Sequence, residues 1–174
     1  MHVRELRGRE DVRAIVRLHG RAWREAYDGL VADEILEDRI VDPTDGDVDR
    51  WHQQLRENEA GVLVAVDGRD VRGFADFRWN DAETKPFVEP DEAELKAIYV
   101  DPDSWGRGYG TALLEAGLER LPASVGVLRL EAFAENDLGA SFYRARGFER
   151  TGTSTIEIGD RRYPVARYAL EIDG

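Results

Sequence analysis

Residues 101–111, Asp-Pro-Asp-Ser-Trp-Gly-Arg-Gly-Tyr-Gly-Thr, constrain this chain more than any other segment. They lie between an apolar, strand-like run (Leu95 to Val100) and a helix-like run (Ala112 to Leu121). A strand that passes through a glycine-rich turn into a helix aims unpaired backbone N–H groups and the positive end of the helix dipole at one point, which suits an anion such as phosphate. Gly106, Gly108 and Gly110 let backbone approach that anion without Cβ obstruction, and Arg107 adds a charge-assisted donor, with Arg144 and Arg146 as further candidates. Two common phosphate loops are excluded. A G-x-G-x-x-G fingerprint would need glycine where Thr111 or Leu113 stands, and a nucleoside-triphosphate loop needs Gly-Lys-Ser/Thr, whereas the two lysines of the chain are Lys85 and Lys96. Taken alone, the triplet reads equally well as a tight strand–helix connection.

A second segment points further. After a strand-like run, Val125 to Phe133, comes Asn136-Asp137-Leu138-Gly139-Ala140-Ser141-Phe142-Tyr143-Arg144-Ala145-Arg146-Gly147-Phe148. Together the two segments resemble the GNAT superfamily of N-acetyltransferases. The first matches the acetyl-CoA pyrophosphate loop, Gln/Arg-x-x-Gly-x-Gly/Ala, over Trp105 to Gly110, with Trp105 where the pattern has Gln or Arg. The second matches the block in which an Asn near a helix start, an Ala and then Phe-Tyr lead to Gly-Phe. The resemblance covers Val62 to Phe148 and is thinner elsewhere, although His19 to Leu30 looks like the N-terminal substrate helix and loop of a branch that includes polyamine-type acetyltransferases.

The 174 residues suit one domain, 1–174, large enough to bury roughly 70% of its unfolded surface. No apolar run reaches membrane-spanning length, and the N-terminus lacks an apolar signal segment, so the expectation is a soluble, cytoplasmic protein with no membrane partner. Without cysteine there is no disulfide and no acyl-cysteine intermediate. A net charge of −12 argues against nucleic acid, whose binding relies on cations that neutralise phosphates. The same charge favours a small cationic amine as acceptor. Two lysines against 22 arginines, with 36 acidic side chains, resemble a haloarchaeal composition; an acidic protein of a GC-rich genome has the same look.

Periodicity predicts a strand at Val3–Leu6, an amphipathic helix over Asp11–Tyr27 and a helix over Asp47–Asn58. Next come a hairpin of Gly61–Val66 and Val71–Trp79 about Asp67-Gly68, and a polar loop from Asn80 to Glu92. Strand Glu94–Val100, helix Gly108–Leu121, strand Val125–Phe133 and helix Asp137–Arg146 follow, and a hairpin of Phe148–Ile158 and Arg161–Ile172 closes the chain. The order gives an α/β fold, and the resemblance specifies the GNAT form: a mixed, mostly antiparallel twisted sheet with flanking helices. It also implies that the two central strands splay, so that the pantetheine arm pairs with backbone around Ile98, Tyr99 and Val100, beside a cofactor loop of Gly106, Arg107, Gly108, Tyr109, Gly110 and Thr111.

Acetyl transfer from a thioester to an amine needs an unprotonated amine, a stabilised oxyanion and a proton for the departing thiolate. With neither cysteine nor a serine elbow, direct attack on acetyl-CoA is the economical route. Tyr143 matches the family's tyrosine acid; its alternative role is packing beside Phe142. For the base, Glu94 is the choice, on the face of Lys96, Ile98 and Val100, with Glu131 on the next strand, although either suits a solvated strand position equally and the base is dispensable if neutral amine binds. Asn136 either contacts pantetheine or caps its helix, or does both. Trp23, Tyr27 and Trp79 are candidates for an acceptor pocket, against the commoner role of core aromatics, and His19 reads as core. No His, Asp or Glu group has metal-site spacing. The expectation is an acetyl-CoA-dependent N-acetyltransferase acting on a primary amine, with a homodimer left open. A protein N-terminus or lysine is the rival acceptor, and a non-catalytic acyl-CoA sensor is the rival class.

Overall fold

The apolar alternation of the strand segments and the 3.6-residue stripe of the helices sort this chain into a sheet with a hydrophobic cluster on each face. The computed structural model describes residues 1–172. Its seven strands are β1 (His2–Glu5), β2 (Val62–Asp67), β3 (Asp70–Arg78), β4 (Glu92–Val100), β5 (Val127–Phe133), β6 (Glu149–Ile158) and β7 (Arg161–Glu171), in the order β1-β2-β3-β4-β5-β7-β6. All neighbours are antiparallel except β4 and β5. The helices are α1 (Arg9–Ala26), α2 (Asp33–Glu37), α3 (Asp45–Arg56), α4 (Tyr109–Arg120) and α5 (Asp137–Ala145). The order and type of the elements follow the expected mixed sheet, with bounds displaced by a residue or two at most ends. The short helix α2 is an addition. It is held by Arg24, which donates to the carbonyls of Leu36, Glu37 and Arg39, and by the Ala32 N–H to Tyr163 Oη bond of 3.0 Å.

On one face α4 covers a cluster built on Leu63, Phe77, Leu95, Leu113, Leu128 and Leu130, all nearly inaccessible. On the other, α1 and α3 bury Val12, Ile15, Val16, Val48, Val62, Val64 and Phe74. Helix α3 begins two residues before the expected Asp47 because Thr44 caps it reciprocally with Asp47.

Two irregularities mark β4. First, β4 and β5 pair only from Glu92↔Val127 to Glu94↔Arg129, and beyond that the strands part. Second, Phe77 pairs with Leu95 while Asp76 pairs with Ala97, so Lys96 is the extra residue of a β-bulge. The bulge reverses the alternation: Ala93 and Leu95 lie in the α4 cluster, as do Ile98 and Val100, while Ala97 and Tyr99 pack on the α1 side. Glu94 therefore does not share a face with Ile98 and Val100, contrary to the simple alternation expected from the sequence.

Candidate active site

Along β4 the Asp101 N–H donates to the Arg72 carbonyl at 2.8 Å. Antiparallel alternation then places Tyr99 in the next bonded pair with Phe74 and turns the backbone groups of Ile98 and Val100 away from β3, toward the gap left by β5. The expected pairing edge thus narrows to Ile98 and Val100, because the backbone of Tyr99 is engaged by β3. The indole Nε1 of Trp105 donates to the Val100 carbonyl at 2.8 Å, a local bond made by the residue that departs from the loop pattern.

A cavity of about 480 Å³ opens beside this edge, between Ile98–Val100, the loop from Ser104 to Thr111, and α5. Gly106 (φ 76°) and Gly108 (φ 89°) adopt the left-handed region; Gly108 caps α4, so the first amides of a 12-residue helix face this space. Gly110 has a different reason to be glycine. A Cβ there would stand 2.9 Å from Phe142 Cε1, so the residue permits contact between α4 and α5. Tyr109 sends its side chain into the core, within 3.4 Å of Asp67 Oδ2, and only its backbone is available to a ligand. Arg107 is exposed and lies outside the cavity wall. The cation that does line it is Arg146: its guanidinium lies 3.7 Å over the Phe142 ring and donates to Thr111 Oγ1 and to the Phe142 carbonyl. Ser104 also lines the cavity, and its buried hydroxyl has no partner among the described residues.

A second cavity, about 210 Å³, occupies the splay between β4 and β5. Trp23, Tyr27 and Phe133 pack edge to face around it, with centroids 4.8 to 5.7 Å apart, and Trp23 Nε1 donates to Tyr99 Oη at 3.1 Å. Tyr27, Ile98, Tyr99, Asn136 and Tyr143 belong to both cavities and form their common wall. Asn136 Oδ1 accepts from the Gly139 N–H at 3.1 Å and so caps α5; its amide hydrogens remain for the cavities. Tyr143 packs against Phe148 and Tyr168 at 5.7 and 5.4 Å, and burial, with the neighbouring Tyr99 and Tyr168 hydroxyls, raises its phenol well above the usual range. The proton stays on.

Of the remaining candidates, Trp79 and Glu94 lie outside both cavities and Glu131 lines the smaller one. Trp79 packs against the α4 cluster and lines neither cavity, since it follows the end of β3 remote from the splay. Glu94 is 1% exposed and accepts from the Lys85 backbone N–H at 3.1 Å, outside both cavity walls. Glu131 does line the smaller cavity, but Lys85 Nζ and Arg167 Nε each hold one of its oxygens at 3.0 Å. His19 sits among Trp23, Trp51, Phe74 and Tyr99, and burial, with repulsion from Arg39, lowers it to about 4. Arg146, a further phosphate candidate in the sequence, is thus in the wall and Arg107 is not, whereas Ser104, Lys85 and Lys96 also line the cavities and were not singled out as site residues by the motifs. For the lysines a signal existed: both lysines of an arginine-rich chain lie in one cavity.

The profile of the acetyltransferase (GNAT) family matches residues 23–148. Among curated proteins, a mycothiol acetyltransferase of Kocuria rhizophila is 30% identical over 131 residues, 74% of this chain and 42% of that protein. A peptidyl-lysine N-acetyltransferase of Escherichia coli is 31% identical over 111 residues, 64% of this chain and 65% of that protein. The chain spans less than half the length of the mycothiol acetyltransferases it matches. Among solved structures, a ribosomal-protein-alanine N-acetyltransferase from Brucella melitensis superposes with a TM-score of 0.74 at 22% identity, covering 99% of this chain and 100% of that one. An N-acetyltransferase from Thermoplasma acidophilum in complex with coenzyme A superposes at 0.68 and 19% identity, covering 98% of both chains.

Proposed function

The chain belongs to the acetyltransferase (GNAT) family, and from that premise we propose that it transfers an acetyl group from acetyl-CoA to a primary amine by direct attack. The observation that carries the reading is the meeting of two cavities at a common wall that includes Tyr143. Acetyl-CoA supplies an acetyl thioester, and the larger cavity suits it: helix N-terminal amides and Arg146 for phosphates, the Ile98 and Val100 edge for an amide-bearing arm, and an unpartnered Ser104 hydroxyl. The smaller cavity presents the amine from the other side. Backbone N–H groups of Ile98 and Val100 that face the gap are placed to stabilise a developing oxyanion.

Tyr143 holds its proton at the junction. A phenol above 10 is a weak acid, but the apolar walls that raise it would raise the basicity of a departing thiolate too, so the proton transfer keeps its driving force. Both oxygens of Glu131 are held by cations and Glu94 is sealed off, so the amine enters neutral or loses its proton to water. Use of this thioester fits a cytoplasmic role. Tyr143 also argues against a sensor module, which would need the phosphate site and no proton donor. The test is release of CoA thiol from acetyl-CoA across a panel of amines and peptides, with the acetylated acceptor identified by mass spectrometry. Thiol release coupled to an acetylated amine supports the reading; tight cofactor binding with no turnover on any acceptor would leave the sensor.

A further inference from the structure

The charge of the whole chain and the charge of the site have opposite signs. Against a net charge of −12, no acidic residue lines the larger cavity and only Glu131 lines the smaller one, where Lys85 and Arg167 already neutralise it. Lys96 stands in the same wall with no carboxylate at ion-pair distance among the described residues. It is also the residue inserted by the β4 bulge, a feature that re-aims a side chain at the cost of a ladder pair. Around these charges Trp23, Phe133, Ile156 and Val165 add carbon surface, and Tyr27, Tyr99, Asn136 and Tyr143 add polar groups. Such a pocket repels the small cationic acceptor that net charge alone suggests. A lysine without an ion-pair partner in the wall prefers an anion, and the aromatic and aliphatic side chains beside it favour a carbon body.

Resting on the acetyltransferase reading above, we propose that the acceptor is a small amine that also carries a carboxylate, an amino acid with an apolar body, whose carboxylate is met by Lys96 beside the Lys85–Glu131 pair. Its amine then points to the junction at Tyr143, and the uncharged Asn136 amide offers a further donor without repelling the carboxylate.

The experiment compares amino acids of graded length with their carboxamides and with diamines of matched length, in the parent, Lys96→Gln and Lys96→Glu. Two readouts are used: thiol release, and calorimetric binding of each compound to protein saturated with CoA. In the parent, kcat/KM and affinity should favour the acid over its amide by about three- to fivefold, the size of one ion pair at an exposed cation. Lys96→Gln should lower the values for the acid more than those for its amide and so remove that preference, and Lys96→Glu should reverse it toward the diamine. An amide or diamine bound as well as the acid by the parent overturns the proposal, as does a preference unchanged in Lys96→Glu. Absence of CoA binding would instead overturn the acetyltransferase reading, and acid binding without turnover would sink catalysis while sustaining the anion site.

Discussion

Removing the Arg146 guanidinium tests whether local cations overcome the negative field of this chain. Arg146 uses three of its N–H donors on Thr111 Oγ1 and the Phe142 carbonyl, and its remaining donors belong to the wall of the larger cavity. A hydrogen bond to a charged group contributes about 1.5–3 kcal/mol. Loss of one such bond to phosphate in Arg146→Met should therefore weaken CoA binding by about tenfold or somewhat more. Stability should fall too, by about 1–2 kcal/mol for the ring stacking and the Thr111 bonds together. At roughly 2–4 °C per kcal/mol for a chain of this size, the melting temperature drops by a few degrees and the variant stays folded at 25 °C. Arg107→Ala is the control, since Arg107 lies outside the wall. Calorimetry with CoA at low and high KCl measures both variants, and the defect of Arg146→Met should shrink as salt screens it. Unchanged affinity in folded Arg146→Met, or a larger loss in Arg107→Ala, refutes the assignment.

Three other outcomes follow from the same geometry. Glu94→Gln and Glu131→Gln should retain kcat within about tenfold when chemistry limits the rate, less than the loss typical of a general base, while their melting temperatures fall; a loss of kcat of about 10²-fold or more in either would identify a base. Burial holds His19 near 4 against 6.5 when unfolded, so only the unfolded chain gains its proton between those values: stability is full above pH 6.5 and declines as pH falls. Each pH unit is worth at most about 1.4 kcal/mol, and His19→Phe should flatten the melting curve between pH 6.5 and 5; an identical slope would clear His19. Finally, 36 carboxylates against 24 basic side chains should make the melting temperature rise from low millimolar toward molar KCl, and a flat curve would count against a salt-adapted surface.

The sequence was legible where local chemistry decides structure. Positive-φ glycines at 106 and 108 and the Asn136 cap carried their meaning in residue type, and the alternating strands revealed the sheet. What escaped was set by register. One extra residue at Lys96 moved Glu94 to the opposite face from Ile98 and Val100, and no periodicity argument locates a bulge in advance. Gly110 read as an anion contact because its neighbours are glycines, yet Phe142, 32 residues away, is what it accommodates. Arg107 and Arg146 are indistinguishable as cations in sequence; the Phe142 ring and Thr111, brought together by packing of α5 on α4, select Arg146. Net charge is silent about the walls, because it averages over a surface whose unpaired carboxylates lie outside both cavities.

The most direct measurement of the central claim, that chemistry occurs where the two cavities meet, is kcat for Tyr143→Phe on the best acceptor, with CoA affinity alongside. The substitution deletes one proton donor and keeps the ring that packs on Phe148 and Tyr168. The expected result is a loss in kcat of about 10²-fold with CoA affinity and melting temperature nearly unchanged. A variant that keeps most of the parental kcat while chemistry limits the rate would show that Tyr143 only packs, and that the reaction is organised elsewhere.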